Sequence, residues 1–409
     1  MAVNINQLFK PLANKVFARL YFAQTISLLG DAFTWVGLAL LAFEFGGEDA
    51  AAILATSLTL RVTAFVIFSP YAGVLADRID RKKILYTTHL ARMVIVGMLS
   101  FVTQVWQIYV LVFLLNVFNG FFTPTYKAVI PQIIKNKDEY TDAISLSSGT
   151  YQLLGVLGPG IAGGLAAVMG LREIFFLDAV SFIIAALLIF TLPGKLIVSE
   201  TKDKLLKSNV WSDIKKGTRD LFKDNLIRFA LMMEFVVAVA GAQILVNTVG
   251  HIKGALHLTS VEYGWAMSAF GIGATIAAFS IGILLNKKIK PHLLILTGAF
   301  LVSFSITSAN YIGIFPLIGL WLFAGMGSSL VEIPAQTLIA DRIPLNEQGK
   351  VYGAHFAWSH LWWAISYPIA GYLGTYYFNE NFLYGGILSF ILIFMIYVFF
   401  RKKVGSYES

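Results

Sequence analysis

No cysteine occurs among the 409 residues, so disulfides, thiolate metal sites and thiol catalysis are excluded. Charge is nearly as scarce: Asp, Glu, Lys and Arg make up 13% of the chain, against 57% hydrophobic residues. A soluble protein of this composition would expose too much apolar surface, and the bilayer is the expected solvent. Missing too are a Gly-x-x-x-x-Gly-Lys-Ser/Thr phosphate loop, a Gly-x-Ser-x-Gly elbow and a His-Glu-x-x-His pair. A nucleotide-driven pump would need a second chain, and neither an enzyme nor a cofactor-binding protein is expected. The first apolar stretch is too long for a cleavable signal and lacks a small-residue cleavage site, so it is expected to remain as a spanning helix.

What the chain has in abundance is long apolar runs. Twelve can be drawn, at about 17–44, 51–76, 84–104, 107–133, 141–168, 172–193, 226–250, 261–285, 291–310, 314–340, 350–377 and 382–400, each near the ~20 residues that cross ~30 Å of hydrocarbon. The 31 Lys and Arg fall overwhelmingly at segments that are cytoplasmic if both termini are inside. Arg172 and Lys253 fall outside, and Arg61, Arg92 and Lys127 fall within spans. That bias sets an N-in, C-in orientation. Basic loops against an anionic inner leaflet also account for the net charge of +8 without a nucleic-acid partner.

The runs divide into a six-span bundle at 1–193, a linker at 194–225 and a second bundle at 226–409. The linker carries eight Lys or Arg and five Asp or Glu, and Trp211 to Phe222 has the apolar spacing of an amphipathic helix at the cytoplasmic surface. The two bundles repeat each other. Gly73 to Lys83 is a charged knot between spans two and three, and a weaker copy, Gly282 to Lys290, begins 209 residues later. Pro124 and Pro159 have counterparts at Pro334 and Pro368 in the same register. Duplicated six-span halves point to a transporter, all α-helical with twelve transmembrane helices, whose substrate cavity is expected between the halves at the midplane.

These landmarks resemble a known family. Gly73-Val74-Leu75-Ala76-Asp77-Arg78-Ile79-Asp80-Arg81-Lys82-Lys83 is similar to the signature loop of the major facilitator superfamily, except that Asp80 stands where many members have glycine. Gln24 to Asp31 in span one, Pro124 and Pro131 in span four, and Leu177 to Phe182 in span six further resemble the branch of macrolide-efflux proteins and siderophore exporters. The resemblance implies that Gly73, Asp77, Arg78 and Arg81 form a conformational latch, with a purely topogenic basic loop as the alternative. It implies a helix-bending element at Gly158, Pro159 and Gly163, with ordinary tight packing as the alternative. It also implies a cavity reached by Gln24, Trp35, Tyr126, Tyr151, Gln243, Asn247, Gln336, His355 and Trp358, with Tyr21 and Phe33 adding aromatic surface.

Charges inside the membrane are the functional candidates, because each costs ~2.5–3.5 kcal/mol at a helix centre. Asp31 lies 12 residues beyond Arg19, about 18 Å along a helix and so near the midplane. Glu332, nine residues above Asp341, also lies deep. Both are candidates for proton coupling, with Arg61 on span two as the counter-ion of Asp31. Glu234 is expected nearer a solvated mouth, Arg92 at the periphery, and Lys127 snorkelling; Asp178 reads as a structural mark. His251, His257, His355 and His360 lack metal-ligand spacing, so no resident metal is expected.

The reading is a monomeric secondary exporter of an amphiphilic organic compound, drug-like or siderophore-like, exchanging it for protons by alternating access. A divalent-metal exporter and a non-transporting receptor or scaffold are the alternatives.

Overall fold

The computed structural model describes residues 9–192, 210–286 and 289–405. Thirteen α-helices make up the described fold: α1 Lys15–Gly46, α2 Ala50–Arg78, α3 Arg81–Leu99, α4 Val105–Ile133, α5 Lys137–Met169, α6 Glu173–Phe190, α7 Val210–Lys223, α8 Asn225–Gly250, α9 Ser260–Asn286, α10 Pro291–Thr307, α11 Ile314–Arg342, α12 Leu345–Tyr376 and α13 Asn381–Gly405. Helix is the form that lets such apolar segments satisfy every backbone N–H and C=O internally, which lipid cannot do for them. Ten of the twelve long helices are long and apolar enough to cross a membrane. The other two are α3 and α12: α3 carries Arg81, Lys82, Lys83, His89 and Arg92, and α12 is interrupted by Ser, His, Gly and Asn.

Most helices have no polar face, because lipid on one side and protein on the other both favour apolar residues. Val168, Phe279 and Phe315 are 79–86% exposed, as suits side chains that meet hydrocarbon. The amphipathic exception is α7, which matches the expected helix of the linker and packs on α12. There Lys216 Nζ donates to Glu347 Oε1 at 2.8 Å, and Phe222 meets Trp358 edge-on at 5.1 Å.

Helix starts follow from local chemistry. Asp80 caps α3 by accepting from the Lys82 amide at 3.0 Å, so the residue that departs from the family pattern serves as an N-cap. Asp224 caps α8 through the amides of Leu226 and Ile227 and also accepts from Arg342 Nε at 2.7 Å. Pro159, Pro334 and Pro368 lie inside α5, α11 and α12.

The chain forms two compact units. One gathers the described residues of Met1–Leu41 and Leu60–Glu200, the other those of Ala42–Thr59 and Thr201–Ser409. In the first, α3 packs on α4 and α6, and Phe17, Leu20, Leu85, Phe122, Val129 and Ile189 close its core. In the second, α11 lies against α9 and α10, while α8 packs on α12 and α13. The expected division at 193 and 226 differs in two places. Described linker residues join the second unit through α7, and so does the tip of the α1–α2 hairpin, where Ala51 and Ala55 lie against Gly371 of α12.

Candidate functional site

The first unit concentrates its buried charge where α1, α3 and α6 meet. Arg92 Nη2 donates to Asp31 Oδ1 at 2.6 Å, with side-chain exposures of 1% and 23%. Asp178 is fully buried. Ser181 Oγ donates to its Oδ1 at 2.9 Å, and Thr34 Oγ1 forms a short hydrogen bond to its Oδ2. The Arg92 guanidinium lies 4.1 Å from the Phe182 ring centre and 5.6 Å from that of Phe122, so its planar face is covered by aromatic surface. His89, one turn earlier on α3, is also fully buried, with ring contacts to Phe122 and Phe182 at 4.6 and 5.7 Å.

Gly30 makes this approach possible. A Cβ there would collide with Asp178 Oδ1 and the Ser181 side chain, so Gly30→Ala should displace the carboxyl and cost ~1–3 kcal/mol by overpacking. Thermal unfolding in detergent measures it; an unchanged midpoint would mean that the Asp178 side chain gives way freely.

Two expectations are corrected here. Arg61 is not the counter-ion of Asp31: its guanidinium stacks 4.1 Å from the Trp35 ring centre, and Arg92 takes the carboxylate. Nor is Arg92 peripheral, since it is 1% exposed. Residue counting gives depth along a helix but not direction around it, and two bases at comparable depth compete for one acid. Asp178, read as a structural mark, lies at the heart of the cluster. Asp31 and Asp178, together with the bases Arg61, Arg92 and Lys127, within the first half's otherwise apolar spans were the available signal.

The second unit has its own ionisable cluster. His355 Nε2 on α12 is 2.9 Å from Glu234 Oε1 on α8, and both residues are 7% exposed. The other oxygen, Glu234 Oε2, is buried without a hydrogen-bond partner. Glu332 on α11 is exposed and lies within electrostatic reach of both. The expected solvated placement of Glu234 is overturned, because α12 covers it.

The remaining candidates scatter. Gly73, Asp77 and Arg78 end α2, and their side chains lie outside the described residues; Arg81 opens α3 and is buried. Lys82 donates to the Leu192 carbonyl at 2.5 Å. Gly158 packs closely on α1, where an added Cβ would stand 2.5 Å from Ala32 Cβ. Pro159 follows within the helix and Gly163 is buried.

Of the expected cavity residues, Tyr126 belongs to the apolar core. Gln243 and Asn247 are 0% and 2% exposed and bonded to each other at 2.7 Å. His355 is held by Glu234, and Trp358 is partly covered by Phe222. Gln24 and Trp35 are half-buried, whereas Tyr151 and Gln336 are exposed. No group of three or more His, Asp or Glu able to hold a metal occurs among the described residues.

Comparison with known proteins adds an independent line. The family model described as Major Facilitator Superfamily matches residues 20–242 and 235–408. The chain is 27% identical over 365 residues to the uncharacterized MFS-type transporter YfiS of Bacillus subtilis (strain 168), covering 84% of each chain. It is 24% identical over 320 residues to macrolide efflux protein A of Streptococcus pyogenes, covering 75% of each. Among solved structures, a bacterial homolog to the human lysosomal transporter Spinster, inward-facing and unoccupied, shares the fold at a TM-score of 0.77 and 12% identity. The match covers 95% of this chain and 97% of that one.

Proposed function

Since this chain belongs to the Major Facilitator Superfamily and so carries small molecules across a membrane, we propose that it is a proton-driven exporter of an amphiphilic organic compound, drug-like or siderophore-like, in the bacterial inner membrane. The observation that supports the coupling is the Glu234–His355 pair with Glu332 within electrostatic reach of both. A buried carboxyl bonded to an imidazole, with one oxygen unpartnered, is chemistry suited to taking up and releasing a proton. Glu332, exposed beside it, supplies the step to water. One proton moved across 100 mV supplies about 2.3 kcal/mol, enough for a modest outward gradient.

The outward direction and the substrate class rest on the relationship to macrolide efflux protein A. In the first unit, exposed aromatic surface for a bulky ligand is available at Tyr151, and Asp77 with Arg81 serves as the latch.

The test is macrolide transport by everted vesicles under an imposed pH gradient. Glu332→Gln should abolish accumulation against the gradient while sparing ligand binding. Gradient-driven accumulation at wild-type size in both Glu332→Gln and Glu234→Gln would refute coupling through this cluster.

A further inference from the structure

The first unit's charges are not spent by that reading. We infer that Arg92 is a counter-ion shared between Asp31 and Asp178, passing from one to the other as a single proton crosses in the opposite sense, which makes Asp178 a proton-carrying residue. The inference rests on proton-driven transport for its role in the cycle but not for its chemistry.

One guanidinium is bonded to Asp31 and lies within electrostatic reach of Asp178 in a membrane-embedded site. With Asp31 ionised and bonded to Arg92 at 2.6 Å, an ionised Asp178 would leave the cluster with a net negative charge, so one proton belongs to the pair of acids. The titratable and charged groups around Asp178 are Asp31 on α1 and Arg92 on α3. His89, also on α3, lies against the same two rings as Arg92. Its ring nitrogens, buried, have no hydrogen-bond partner, so no bond ties it to either carboxylate.

Three details of the geometry favour exchange over a fixed pair. Arg92 Nε is buried without a hydrogen-bond partner, so the guanidinium retains an unspent donor. It lies over Phe182, one helical turn from Asp178 and on the same face of α6. The Asp178 carboxyl is cradled by the hydroxyls of Thr34 and Ser181, and a hydroxyl can donate to a carboxylate or accept from an acid, so the cradle fits both protonation states.

In one arrangement Asp31 is ionised and bonded to Arg92 while Asp178 holds the proton. In the other the Asp31–Arg92 bond is broken, the proton that left Asp178 is on Asp31, and Arg92 is bonded to ionised Asp178. The cluster keeps one proton and zero net charge in both. Asp31, the less buried acid of the two, is where the proton meets water.

Infrared spectroscopy of the purified protein at neutral pH tests this through the C=O stretch of protonated carboxyls. The wild type minus Asp178→Asn difference should contain one such band. That band should disappear in Asp31→Asn, because Arg92 then moves to Asp178 and ionises it, and should return in Asp31→Asn with Arg92→Gln. Thr34→Val, which removes a hydrogen bond and keeps the acid, should shift its frequency and identifies it even if Asp178→Asn does not fold. A band unchanged in Asp31→Asn would make Asp178 a permanently neutral structural group and overturn the inference, as would no band assignable to Asp178. Because nothing is transported in this measurement, its outcome is independent of the vesicle assay that tests coupling at Glu332.

Discussion

Asp31→Asn combined with Asp178→Asn should be the most damaging pair of replacements in the first unit. Arg92 is 1% exposed and an arginine cannot shed its charge, so removing both carboxylates strands a buried cation, at a cost of about 3–5 kcal/mol. Either single change should cost less, because the other acid remains within reach. Adding Arg92→Met to the double variant should restore folding, since a neutral side chain of similar length then fills the space between Phe122 and Phe182. Thermal unfolding and monodispersity in detergent measure all four proteins. A double variant as stable as the wild type would show that the three groups are not coupled.

His355→Leu should have the second largest effect, on transport. Glu234 Oε2 already lacks a partner, and this change removes the partner of Oε1, leaving the carboxyl buried with neither oxygen bonded. The stability cost should be ~1–3 kcal/mol, and the acid should hold its proton rather than exchange it. Accumulation against the gradient should fall to background while binding of the macrolide survives. Adding Glu234→Leu should recover the stability without recovering the export. Wild-type accumulation in His355→Leu would remove the pair from the coupling mechanism.

The helices were legible because lipid imposes a length and a composition on each span, and α7 was legible because its polar face must meet water. Residue counting along α1 gave an expected depth for Asp31. It could not give the partner, because choosing between Arg61 and Arg92 depends on which way each points around its helix, which is set by packing: Arg61 turns onto Trp35 and Arg92 onto Phe182. Glu234 was misplaced for a related reason. Its distance from the helix start suggests solvent, but the side chain that covers it comes from α12, 121 residues away. Trp358 read as a free aromatic until α7 laid Phe222 against it.

The hairpin tip at Ala42–Thr59 sets an order of events during synthesis. Ala51 and Ala55 pack on Gly371, and Ala51 also lies against Gly374, yet Gly371 is made 316 residues after Ala55 (371 − 55). At about 5–20 residues per second, the hairpin tip waits roughly 15–60 s before the surface it closes upon emerges. A polypeptide released after residue 193 would therefore hold the beginning of a contact whose other side had never been translated. Supplying residues 194–409 as a separate chain is what would let that tip find its place.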